Sequence, residues 1–68
     1  MTVAKVSEIK ASSPKSFEDA IQEGITRANK TLKNLKSAWV KEFEVALGDN
    51  GQITEYRVLL KITFILEN

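Results

Sequence analysis

The stretch Glu55-Tyr56-Arg57-Val58-Leu59-Leu60-Lys61-Ile62-Thr63-Phe64-Ile65-Leu66 decides the fold. Tyr56, Val58, Leu60, Ile62, Phe64 and Leu66 are apolar, while Glu55, Arg57, Lys61 and Thr63 occupy the odd positions. Side chains of a strand alternate between two faces, so this is a strand with one face committed to a core. Just upstream, Gly48-Asp49-Asn50-Gly51 supplies the turn residues of a hairpin loop. Before the turn, Ala38 to Leu47 alternates again, with Trp39, Phe43, Val45 and Leu47 expected on one side and Glu42 and Glu44 on the other. The two segments therefore read as a β-hairpin.

Working outward, a helix is expected from about Pro14 to Lys33. Phe17, Ile21, Ile25, Ala28 and Leu32, with Ala20 beside them, form an apolar stripe one helical face wide. Ser13 is positioned as N-cap, with Pro14 at the first helical position. Glu18, Asp19 and Glu23 near the start and Arg27, Lys30 and Lys33 near the end complement the helix dipole. Residues 2–10 alternate loosely and lack helix caps, which makes them a first strand. The order is β-α-β-β, an α+β fold in one domain spanning 1–68. With antiparallel neighbours throughout, the last strand lies in the middle of a three-stranded sheet, and its apolar face packs against Phe17, Ile21, Ile25 and Leu32. The opposite sheet face has no helix to cover it. Leu59, Ile65 and either the Trp39 set or the Ala38/Val40 set would lie there, which predicts contact with other copies of the chain.

Composition narrows the chemistry. The chain has 68 residues, no Cys and no His, which excludes disulfides, thiolate metal sites and any Ser/His/Asp or Cys/His nucleophile system. A core this small supplies only about 3–5 kcal/mol, so oligomerisation is the remaining means of stabilisation. The reading is non-enzymatic. No stretch approaches the roughly 18 apolar residues of a membrane span, and the N-terminus lacks the apolar run of a signal peptide, so a cytoplasmic protein is expected. Arg27, Lys30, Lys33, Lys36 and Lys41 form a run without acids between Thr26 and Lys41. That run is the only ground for a nucleic-acid-binding module. A net charge of +1 and the lack of interleaved aromatic residues before Trp39 speak for a solvated helix face instead.

Over nearly its full length the chain resembles the dodecin family. The resemblance is carried by Ser12-Ser13 leading into Ser16-Phe17-Glu18-Asp19-Ala20-Ile21, by Ala28-Asn29-Lys30-Thr31-Leu32, by Val40-Lys41-Glu42, and by Glu55 to Phe64. It implies a sheet curled around its helix and twelve copies in a hollow shell that binds or stores a flavin, riboflavin or FMN, without turning it over. In flavin-binding members a stacking Trp stands where alignment on Val40-Lys41-Glu42 puts Ser37, and a flavin-contacting Gln stands where this chain has Arg57. Members without that Trp and with Arg after the Tyr also exist, and some are described as binding calcium.

The candidate ligand residues are accordingly Trp39, Arg57 and Ser37. Residues 37 and 39 of a strand share a face, so Trp39 would meet a ligand about 7 Å along from the usual stacking position. Arg57 would stack on a ring, bind a phosphate, or pair with Glu42 or Glu44 across the hairpin. As a shell without flavin, the assembly would bind cations such as calcium or magnesium, or small anions. Glu42 and Glu44 are the metal candidates, with Asp49 nearby, and they would need copies gathered on a symmetry axis to reach the oxygen count a hard cation requires.

Overall fold

The strand at the centre of the sheet owes its place to its two-sided pattern. The structure, a computed structural model, describes residues 2–66. The two ends of the expected 1–68 domain, Met1 and residues 67–68, lie outside the described residues. The elements are β1 (Ala4–Ser13), α1 (Phe17–Thr31), β2 (Leu35–Leu47) and β3 (Ile53–Ile65). All pairing is antiparallel, in the order β1-β3-β2. The α+β class, the β-α-β-β order and the central position of the last strand are as the sequence implies.

Val58, Leu60 and Ile62 of β3 are almost completely buried, together with Ala20 and Ala28 of α1. Ile9 and Ala11 of β1, Phe17, Ile21, Ile25 and Leu32 of the helix side, and Leu35, Ala38 and Val40 of β2 pack around them. Gly24 brings the helix close to β1: a Cβ there would lie 3.0 Å from the Ala11 Cβ and 3.0 Å from Leu60 Cδ1. The 15-residue helix is about 22 Å long, whereas each 13-residue strand of the hairpin runs about 43 Å. The molecule is thus a 53 × 19 × 14 Å body whose hairpin outreaches its helix. Phe43, Leu47 and Ile53 remain 60%, 61% and 50% exposed along that hairpin.

The helix start differs from the sequence expectation. Ser16, not Ser13, is the N-cap: its Oγ accepts the Asp19 N–H at 3.0 Å. Ser13 is instead the last residue of β1 and is 2% exposed. Its hydroxyl donates to Asp19 Oδ2 at 2.6 Å and accepts the Lys15 N–H at 3.0 Å, so it straps the strand to the first helical turn. β1 accordingly runs three residues past the expected Lys10, because Ala11, Ser12 and Ser13 pair with Val58, Arg57 and Tyr56.

At its other end the helix stops at Thr31, with Leu32 as C-cap donating its N–H to the Ala28 carbonyl. Asn34, at φ 61°, then turns the chain, so β2 begins at Leu35 rather than Ala38. The hairpin turn is as expected. Gly48 N–H donates to the Gln52 carbonyl, Gly51 N–H donates to the Gly48 carbonyl, and Gly51 takes a φ of 79° that favours glycine.

β2 also departs from the sequence expectation. Its pairing with β3 shifts register between Val40 and Glu42, which leaves Lys41 as a bulge. Ala38 and Val40 pair with Ile62 and Leu60 on the helix side, and after the bulge Phe43 pairs with Val58 on that same side. Trp39, opposite Lys61, is on the outer face. The single apolar set of Trp39, Phe43, Val45 and Leu47 is therefore split. Phe43 turns inward to meet Phe17 edge-to-face at 5.0 Å, and Phe17 meets Tyr56 in the same way at 5.1 Å. Among the described residues, no helix is long and apolar enough to cross a membrane.

Candidate functional site

The sheet face away from the helix is a set of cross-strand rungs about 7 Å apart. Val6, Thr63 and Ser37 form one. Glu8, Lys61 and Trp39 form the next, then Lys10, Leu59 and Glu42, then Ser12, Arg57 and Glu44. The structure therefore places all five candidate residues (Ser37, Trp39, Glu42, Glu44 and Arg57) on one face. Ser37 adjoins Trp39. Arg57 does not: it is two rungs, about 13 Å, from the Trp39 rung. Within one protomer the two cannot grip the same ring.

Trp39 is 66% exposed, the largest fraction among the big apolar side chains of the described residues. The Lys61 ammonium lies over its ring, 5.7 Å from the centroid. Lys61 in turn contacts Glu8 Oε1 at 3.9 Å, and Lys41, carried outward by the bulge, contacts the same oxygen at 3.6 Å. Lys61, Lys41 and Glu8 were not among the residues expected at this site. Their only sequence signal was a pairing register, which a single strand's pattern does not reveal.

Arg57 is held by carboxylates. Its Nε donates to Glu55 Oε1 at 2.8 Å, and Nη1 lies 3.7 Å from Glu44 Oε1. The Glu55 hydrogen bond and charge, with Glu44 adding to them, raise its pKa above the ordinary guanidinium value. Glu44 also meets Lys10 at 3.4 Å. The cross-hairpin pair with Glu44 agrees with the salt-bridge alternative, and Glu55 is an added partner. Glu42 has no ion-pair partner among the described residues. Beside it, Lys10, Glu44, Arg57 and Leu59 line a depression of about 410 Å³. Among the described residues, no group of three or more acidic side chains is gathered closely enough to hold a metal ion.

On the helix side, two apolar grooves flank α1. The one against β1 holds about 430 Å³, lined by Ile9, Ala11, Gly24, Ala28 and Leu32 among others. The one against β2 holds about 340 Å³, lined by Ile21, Ile25, Leu35, Ala38 and Ile62 with Ser37 at its rim. Both lie open beside edge strands.

Comparison with known proteins agrees with this geometry. A family model described as Dodecin matches residues 3–67. The dodecin of Thermus thermophilus is 40% identical over 65 residues, covering 96% of this chain and 93% of the relative. The crystal structure of a variant of the Thermus protein superposes with a TM-score of 0.93 at 38% identity, covering 100% of both chains. The calcium dodecin of Mycobacterium tuberculosis is 38% identical over 64 residues, covering 94% of this chain and 89% of the relative. Its structure, described as that of a calcium-chelating antigen with a calcium-binding site, superposes with a TM-score of 0.83 at 34% identity, covering 96% of this chain and 91% of that one. Matched in sequence from residue 3 to residue 67 and in backbone over its whole length, the chain belongs to the dodecin family.

Proposed function

We propose that the protein is a non-enzymatic, cytoplasmic homododecameric shell that holds a flat aromatic ligand of the flavin type, riboflavin or FMN, against Trp39. The observation that carries this reading is the indole, 66% exposed on the uncovered sheet face, with charged side chains on its own rung and the adjoining one. A solvent-exposed Trp loses apolar contact that a stacked ring would restore. Ser37 beside it leaves room along the same face. Arg57 reaches such a ligand only from a neighbouring copy, because its own protomer keeps it about 13 Å away.

Assembly has its own support. Only Ala20, Ala28, Val58, Leu60 and Ile62 form the fully buried apolar core of the described residues, and two of them are alanines. Phe43, Leu47 and Ile53 on the overhanging hairpin, and the two apolar grooves beside the helix, give neighbouring copies surfaces to bury.

The second reading is a shell that binds calcium or magnesium. It is favoured by Glu42, whose carboxylate has no cationic partner among the described residues, and by the similarity to a calcium dodecin. One protomer supplies too few oxygens, so such a site would use Glu42 and Glu44 from several copies around an axis.

Native mass spectrometry with and without riboflavin and FMN tests the proposal. The expected species is near twelve times 7.6 kDa and gains flavin in whole-number steps, with quenching of flavin fluorescence that is lost in Trp39→Ala. The same shell without flavin uptake, but with thermal stability that rises with added calcium, selects the second reading. A monomer or dimer refutes the shell.

A further inference from the structure

The outer sheet face carries four cations, Lys10, Lys41, Arg57 and Lys61, and four anions, Glu8, Glu42, Glu44 and Glu55. They are not evenly mixed. Around Trp39 are Lys61 and Lys41 with Glu8 alone as counter-charge among the described residues, the two ammoniums 3.9 Å and 3.6 Å from the same Glu8 oxygen. Around Arg57 are two cations, Arg57 and Lys10, against Glu44, Glu55 and the neighbouring Glu42. The face is therefore polarised: its Trp39 end has an excess of positive charge, its Arg57 end an excess of negative charge.

We propose that Lys61 and Lys41 are specificity-determining residues that make the Trp39 platform select a planar aromatic ligand bearing an anionic group, such as a phosphorylated flavin over a neutral one. This rests on the reading of Trp39 as the ligand platform. The sequence offered Arg57 as the phosphate partner, but its guanidinium is engaged by two carboxylates and lies two rungs away. Lys61 sits over the indole itself. Its ammonium is a point charge on a flexible four-carbon stem, able to swing from the ring to the rim of a stacked ligand. Glu8 carries one charge and cannot neutralise both lysines. A phosphate monoester brings about −1.5 to −2 charges at pH 7, and it replaces the missing counter-charge. Stacking on Trp39 is common to both flavins and cancels in their affinity ratio. The ratio therefore reports the lysines.

The test is titration of the intact assembly with riboflavin and with FMN, read by flavin fluorescence quenching. FMN is expected to bind about tenfold more tightly at low salt, a factor consistent with two exposed charge pairs, and this preference should shrink as salt screens it. Lys61→Gln should lower the FMN-to-riboflavin affinity ratio at least threefold. Lys61→Arg, which keeps the charge, should retain the preference and guards against a variant that merely fails to assemble. Lys10→Gln, removing a cation from the far end of the face, should leave the ratio unchanged. Equal affinity for the two flavins in the unaltered protein overturns the proposal while leaving the platform standing. So does a Lys61→Gln variant that weakens both flavins alike. Absence of binding by either flavin overturns the platform reading and the selectivity with it.

Discussion

Replacing Ser13 with Ala should destabilise the protein more than replacing Ser16 with Ala, although only Ser16 caps the helix. Ser16→Ala removes one hydrogen bond to the Asp19 N–H, for which caps of this kind cost about 1 kcal/mol. Ser13→Ala removes two from a residue that is 2% exposed. The 2.6 Å bond to Asp19 Oδ2 is of the short, charge-assisted kind, and hydrogen bonds to charged groups contribute about 1.5–3 kcal/mol. The Lys15 N–H also loses its acceptor in a partly buried setting, adding up to about 1 kcal/mol. The expected cost is about 2–4 kcal/mol, comparable with the whole stability of about 3–5 kcal/mol available to a core of this size. Urea unfolding at one fixed protein concentration measures it, since assembly makes stability concentration-dependent. A double-mutant cycle of Ser13→Ala with Asp19→Ala should show coupling above about 1 kcal/mol. If Ser13→Ala costs no more than Ser16→Ala, or if the cycle is additive within about 0.5 kcal/mol, the strap between β1 and the helix is not what holds this corner.

Leu60→Ala empties the centre of the core, where Leu60 is fully buried on the middle strand, and should cost about 3–5 kcal/mol, leaving no cooperative urea transition. Gly24→Ala should fail to deliver the roughly 1 kcal/mol that alanine gains over glycine inside a helix. Its Cβ would meet the Ala11 Cβ and Leu60 Cδ1 at 3.0 Å, so the net effect should be destabilising by up to about 2 kcal/mol, and a clear gain in the urea midpoint would contradict that packing. Deletion of Lys41 should keep the fold, because the bulged residue is outside the ladder and Val40 and Phe43 already face the helix on either side of it. A crystal structure of the deletion variant with Phe43 on the outer face would show that the bulge sets the faces in some other way.

The sequence pattern was most legible where a strand is regular and least legible where the backbone departs from regularity. In β3 every even position from Tyr56 to Phe64 is apolar, so its core-facing side followed from period two, even with Leu59 and Ile65 apolar on the other face. At the helix start two serines competed. Ser13-Pro14 matched a common N-cap pattern, yet Ser16 followed three residues later by Asp19 carries the acidic third position that such caps favour. Ser13 was free for another role only because Ala11 and Ser12 continue the strand, and the small Ala11 also leaves room for the approach of Gly24. β2 holds the most instructive case. Its apolar residues Ala38 and Val40 keep one phase and Phe43, Val45 and Leu47 keep the other. A slip of one residue in a period-two pattern means either a change of face or an extra residue. Reading one face straight through grouped Trp39 with Phe43 and would have put Lys41 among apolar neighbours. An extra residue at Lys41 keeps Ala38 and Val40 on the same side as Phe43 and Val45, while Leu47, past a further register shift after Ala46, is 61% exposed. The same bulge sends the Lys41 ammonium to Glu8 beside Trp39. Thus the irregularity that hid part of the core from the sequence also builds the charged surroundings of the candidate site.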